Sequence, residues 1–483
     1  MKIYKLILFS LLSVGFFTAC SSDDTDTPVK PDPVVEGRDL TIENFIYRGL
    51  NEIYLYKSDV AQLADGYFST ADDRNDFLDN YSTPENLFYD GLTATQDRFS
   101  FIVEDYVELE NSFSGKSTTT GMSYGLVRYC DGCSEVFGYV RYVLPNSSAA
   151  VAGVKRGDFF NKIDGQQLTD TNYAALLEPQ TFTIGLATLN DTTISDSGET
   201  INLTKTEYNT NPVYISKTLD VGGKKVGYLM YNSFTADYDP QLNDAFGQFK
   251  TDGVTELVLD LRYNGGGSVR TATDLASMIT GQFAGQLFMK EQWNADYQAY
   301  FEAESPESLV NNFNTTLKTG ESINSLNLSK VYILTTGRSA SASELVINGL
   351  KPYIDVVQVG ETTTGKFQAS VTLYDSSNFG RNGANSKHTY AIQPLVLKSV
   401  NSAGVSDYVN GLDPDYEVSE NFRQLGVLGD ADEPMLKVAL DVIQGNRRAI
   451  PTDFIKYDFV GESNMSELNY QRMYIDKVPA IRE

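Results

Sequence analysis

The sequence predicts an α/β core, or an α+β one, in which strands alternate with helices joined by parallel crossovers. Two stretches carry that expectation. Residues 331–334 and 354–359 are apolar runs of buried-strand length, and between them Leu345, Val346 and Leu350 recur at helical spacing. Upstream, residues 226–234 read as a strand, 243–250 as a helix, and 257–261 as a buried strand opening into Gly265-Gly266-Gly267. A length of 483 residues suggests two to four domains with ample capacity for a core.

Charge excludes one class of partner. With 38 basic against 64 acidic residues, the chain has no electrostatic case for nucleic acid. A single histidine, His388, excludes multi-histidine metal sites and leaves one candidate for a histidine-based triad. It follows a glycine- and asparagine-rich loop, 379–387, where a solvated histidine is the plain expectation.

In chain order, residues 1–19 read as a signal peptide: Lys2 and Lys5 precede an apolar stretch too short to span a bilayer. It ends Phe17-Thr18-Ala19-Cys20, which resembles the lipobox of bacterial lipoproteins. That resemblance implies lipidation at Cys20 and tethering to a membrane of the cell envelope. Residues 20–37 are polar and proline-rich, as an extended tether requires. Within them Ser21-Ser22-Asp23-Asp24 resembles the acidic surface-export signal of Bacteroidetes lipoproteins, implying the outer membrane, facing the periplasm or the outside. Residues 38–111 predict a mainly helical arm, from the spacing of Phe45, Ile46, Leu50, Ile53 and Tyr54, with no chemistry of its own.

Residues 112–206 contain Pro145-Asn-Ser-Ser-Ala-Ala-Val-Ala-Gly153-Val-Lys-Arg-Gly157-Asp158, followed by Ile163-Asp164-Gly165. This run resembles the PDZ domains of proteases. Such domains bind extended chain ends by strand addition, with backbone N–H groups holding the carboxylate. The resemblance puts that loop at Gly121, Gly125 and Leu126, where Ser123 interrupts the usual glycine pattern. Cys130-Asp131-Gly132-Cys133 reads as a two-residue hairpin turn whose cysteines face each other. Facing Cα atoms lie about 5.5 Å apart, within disulfide reach, and an oxidising envelope favours a structural disulfide.

The last region with a chemical signal is 213–447. Ser341-Ala342-Ser343-Glu344 is a Ser-x-x-Glu pattern, which by itself describes a helix capping box. Yet Ser-Ala-Ser341-Ala-Ser-Glu, with Lys366 in Gly-Glu-Thr-Thr-Thr-Gly-Lys 25 positions later, resembles the C-terminal processing peptidases of serine peptidase family S41. The likeness extends over most of residues 85–445, including Asp97-Arg98-Phe99-Ser100, Ser233-Phe234 and Asp260-Leu-Arg262. It implies a ClpP/crotonase-like core with an inserted PDZ domain, acting on peptide or protein substrates without metal or cofactor. By that resemblance Ser341 is the nucleophile and Lys366 its base, activated if burial disfavours its charge. Gly266 or Gly267 would join the Ala342 N–H in the oxyanion hole.

The family's orienting glutamine falls at position 370, which is Ser370 here. Strand alternation would put Lys366, Gln368 and Ser370 on one face, making Gln368 the candidate substitute. The displaced glutamine also keeps open a reading as a catalytically weak, peptide- or ligand-binding lipoprotein on the same fold. Residues 448–483 form a tail unlike the family core, with no legible role.

Overall fold

The centre of the molecule is a six-stranded sheet ordered Val213–Val221, Lys224–Tyr231, Glu256–Asp260, Lys330–Thr335, Asp355–Gly360, Tyr416–Glu417. Only the first pair is antiparallel. The computed structural model describes residues 38–446 and 457–480, so the predicted leader, Cys20 and the tether lie outside it. Leu40 onward forms one unit, while the other, Met1–Asp39, is described only at its last two residues. No helix among the described residues is long and apolar enough to cross a membrane.

The central strands are apolar throughout because both faces are covered. Leu257, Leu259, Val331 and Ile333 enter one core, beneath the helices Asp239–Asp252, Val269–Thr280 and Ala342–Leu350. Val258, Leu334, Tyr228 and Met230 point the other way, into a second core closed by the helix Pro434–Ile443. Parallel neighbours also bring their carboxyl ends to one edge, where open α/β sheets place their ligands. Asp260 stands opposite Leu334 there, so the turns after the two strands begin side by side.

A second six-stranded sheet runs Gly267–Ser268, Met473–Tyr474, Gln368–Ser370, Leu395–Asn401, Leu287–Trp293, Val310–Asn312. The arm begins with the helix Thr41–Ile53 and ends in the strand Phe101–Val103, which pairs antiparallel with Ala391–Gln393.

Residues 112–206 build most of a seven-stranded sheet around their own core of Leu126, Val140, Phe160, Ile184 and Leu203. Its strand Met122–Arg128 is flanked on its outer side by Phe459–Glu462, a segment of the C-terminal tail. Cys130 and Cys133 form a disulfide, with Cα atoms 5.2 Å apart. The cysteines do not close the predicted two-residue hairpin. Strand pairing ends at Arg128 and Val136, and the cysteines close a separate turn beyond it.

Candidate active site

The turn after Lys330–Thr335 is bound to the turn after Glu256–Asp260. Ser339 Oγ donates to the Leu261 carbonyl at 2.8 Å, Thr336 Oγ1 to that of Arg262, and Ser343 Oγ to that of Asn264 at 3.0 Å. Asn264 completes the joint, donating Nδ2 to the Tyr231 carbonyl and accepting the Gly266 N–H on Oδ1 at 2.9 Å. Below it Arg262, fully buried, pairs with Asp260 at 2.9 Å and Glu433 at 2.7 Å.

Ser341 stands at the junction of this turn with the helix Ala342–Leu350, with φ 67° and ψ −113°. An ordinary capping serine takes extended backbone, and a non-glycine residue with positive φ is strained. The backbone arm of the capping box is made, Ser341 N–H to Glu344 Oε2 at 2.7 Å. The hydroxyl faces the Glu344 N–H in the box arrangement but falls short of a hydrogen bond: Ser341 Oγ is buried without a partner. The helix start behind it supplies backbone N–H groups that lack intrahelical acceptors.

Glu344 reaches further than a cap does. Its fully buried carboxylate also accepts the N–H groups of Gly365 at 2.6 Å and Lys366 at 2.9 Å, together with the Thr363 hydroxyl. One side chain therefore fixes the backbones of both Ser341 and Lys366.

Lys366 is fully buried. Burial holds its pKa well below the ordinary lysine value, and the neighbouring Arg472 guanidinium lowers it further, against weaker attraction from Asp97 and Glu344. The Nζ lies 4.8 Å from the centre of the Phe99 ring and donates to the Gln471 carbonyl at 3.0 Å.

Gln368 does not meet Lys366. Its Nε2 donates to the Tyr56 hydroxyl at 2.9 Å, and no hydrogen bond joins it to the lysine among the described residues. The alternation argument fails because the strand begins only at Gln368, while the Lys366 N–H turns back to Glu344. Ser370 donates to the Met473 carbonyl at 3.2 Å. His388 is held by Asp375 at 3.1 Å and accepts the Tyr390 N–H on Nδ1, with no hydrogen bond to Ser341.

The glycine turn needs glycine. Gly267 has φ 139°, and a Cβ there would meet the Phe234 carbonyl oxygen at 2.3 Å. A Cβ on Gly266 would fall 2.7 Å from Ser341 Cβ and 2.4 Å from the Arg472 carbonyl oxygen. The turn is thus packed against Ser341 and against the tail.

The predicted docking loop is occupied at its strand. Gly125 pairs with Glu462 and Leu126 with Gly461, while the Gly121 N–H donates to Thr119 Oγ1 at 3.0 Å. Glu462 lies between Arg141 and Arg338, the latter at 2.8 Å, and accepts the Tyr470 hydroxyl at 2.6 Å. Burial raises its pKa, but the two guanidiniums outweigh this and leave it below the usual range. Sequence reasoning missed Phe99 and Tyr56 from the arm and the whole tail contribution. Only Asp97-Arg98-Phe99-Ser100 carried a signal, as a motif without a role: Asp97 Oδ1 accepts the Phe99 and Ser100 N–H groups and so sets the ring over the lysine.

The family model for peptidase family S41 matches residues 225–418, and that for the peptidase S41 N-terminal domain matches 41–101. A carboxyl-terminal-processing protease of Picosynechococcus sp. (strain ATCC 27264 / PCC 7002 / PR-6) is 26% identical over 273 residues, covering 54% of this chain and 58% of that protein. The chloroplastic C-terminal processing peptidase of Tetradesmus obliquus is 26% identical over 361 residues, 71% of each. The chain thus spans little more than half of the cyanobacterial relative. An S41 protease crystal structure from Bacteroides fragilis NCTC 9343 superposes with a TM-score of 0.65 at 28% identity, covering 83% of this chain and 97% of that one. The S41 match takes in both turns at the sheet's carboxyl edge and the loop carrying Lys366, and the family's N-terminal domain matches the arm that supplies Phe99, so the chain belongs to peptidase family S41.

Proposed function

We propose that the protein is a serine endopeptidase that cleaves peptides or protein C-terminal regions with Ser341 as nucleophile and Lys366 as base. The observation that carries this is Ser341 itself: a strained backbone, an unpartnered buried hydroxyl, and a shared carboxylate tying it to a lysine with a depressed pKa. A neutral amine takes the hydroxyl proton as Oγ attacks the carbonyl, then returns it to the leaving amine, and water releases the acyl group. Asn264 holds the Gly266 N–H inside the turn itself, whereas Gly267 faces the tail strand at Met473, so Gly267 with Ala342 is the pair we assign to the oxyanion. The 112–206 domain, PDZ-like by its sequence, would dock the peptide, and lipid at Cys20 would hold the enzyme at the outer membrane.

A second reading, a peptide-binding lipoprotein, draws on Gln368 facing Tyr56 and on the Lys366 amine facing Gln471. Cleavage of a labelled peptide library separates the two. The peptidase reading expects Ser341→Ala to abolish cleavage and His388→Ala to leave it nearly intact. Cleavage that survives Ser341→Ala, or falls as far with His388→Ala, removes the dyad. Cys20→Ser should shift the protein from the membrane to the soluble fraction, and retention in the membrane would refute the anchor.

A further inference from the structure

The protein's own C-terminal segment runs along the edge strand of the 112–206 sheet and on to the candidate active site. Phe459–Glu462 adds to the free edge of Met122–Arg128 as an antiparallel strand, the geometry of peptide recognition by strand addition. Ser463 continues the contact, exchanging hydrogen bonds with the Tyr124 backbone. Farther along, the Gln471 carbonyl takes the Lys366 amine, and the Arg472 carbonyl lies against Gly266 beside Ser341. Met473 pairs with Gly267 and accepts from Ser370.

The grip on this segment is electrostatic. Arg141 comes from the 112–206 sheet and Arg338 from the turn leading to Ser341, and Glu462 bridges them. Arg141 is 2% exposed, and its Nε and Nη2 have no other partner, so without Glu462 its charge would be buried and uncompensated. A cavity of about 140 Å³ remains between the glycine turn and the segment, with Gly265, Gly266 and Arg338 on one wall and Glu462, Glu467 and Gln471 on the other.

We propose that residues 459–472 are an occupant in cis of the peptide channel, latched by Glu462 between Arg141 and Arg338 and anchored by the interior strand Met473–Tyr474, and that an incoming extended peptide must displace them. This rests on the peptidase reading only for what happens to the peptide afterwards. Because the segment is part of the chain, its effective concentration at the channel is high, on the order of millimolar, and a free peptide competes poorly until the latch loosens.

Two full-length variants test it with two readouts. Val127 and Phe459 are strand partners, so Val127→Cys with Phe459→Cys locks the segment by a disulfide without touching the latch. Glu462→Gln loosens the latch. Hydrolysis is read with fluorescein-labelled casein. Binding is read by anisotropy in a Ser341→Ala background, with a fluorescein-labelled peptide of residues 457–474. The oxidised lock should cleave casein about tenfold more slowly than its reduced form and bind no peptide, while Glu462→Gln binds about tenfold more tightly than the parent. Wild type treated with the same reductant controls for opening of Cys130–Cys133. Equal cleavage by the oxidised and reduced lock, or equal peptide binding by all forms, overturns the proposal. If no form cleaves casein but binding follows the expected order, the segment is still the occupant and the peptidase reading alone falls.

Discussion

Ser341 and Glu344, three positions apart, share two jobs. A helix cap would want Ser341 extended; instead it holds a φ of 67°, a conformation costing about 1–3 kcal/mol, and its hydroxyl is left without a hydrogen bond. Glu344 contributes the compensation, accepting three backbone N–H groups and a hydroxyl. Glu344→Ala leaves those buried donors unsatisfied. It should therefore cost about 3 kcal/mol or more in denaturant unfolding and lower kcat more than it changes KM. Unchanged stability would show that these hydrogen bonds do not hold the two turns together. The pattern Ser-x-x-Glu was legible as a cap, and the cap exists. What no local pattern reveals is that the same carboxylate spans to Lys366, because that contact joins residues 22 positions apart.

At the scale of elements, the strands Lys330–Thr335 and Asp355–Gly360 fall within a residue or two of the predicted runs, and the helix Ala342–Leu350 holds Leu345, Val346 and Leu350 but begins three residues before them. Burial on both strand faces writes an unbroken apolar signal, which is why they were readable. Gln368 was misread for the opposite reason. A three-residue strand, Gln368–Ser370, gives no period from which to place Lys366, and its partner strand slips by one residue opposite Ala369 and Ser370. The glycine turn was legible as a turn, but the buried Arg262 that fixes it was only part of a motif. Arg262 neutralises Asp260 and Glu433, and with Arg156 it holds the Glu420 carboxyl down at about 2 against the upward push of burial. Arg262→Leu leaves the Asp260 carboxylate buried without a counter-charge and leaves Glu433 and Glu420 with Arg156 alone. A loss of about 3–5 kcal/mol is expected in urea unfolding, and a loss within experimental error would mean the network is dispensable.

For the whole molecule, the site is assembled from three distant parts of the chain. The arm supplies Phe99 and Asp97, the core supplies Glu344, and the tail supplies Gln471 and Arg472, all around one lysine. The tail's strands of two to four residues have no sequence signature, since pairing with Met122–Arg128 and Gly267–Ser268 creates them. What these parts jointly set is the charge of Lys366. Its folded pKa lies below the unfolded value of 10.5, so between the two the unfolded chain binds more protons, and stability should rise with pH across that window. Lys366, the proposed base, is charged below its folded pKa and neutral above it. The pH–rate profile of peptide hydrolysis, compared between wild type and Lys366→Arg, therefore tests the central claim most directly. The account predicts a wild-type rate that climbs with pH and levels off before 10.5, with no activity in Lys366→Arg. A flat wild-type profile, with Lys366→Arg still active, would contradict it.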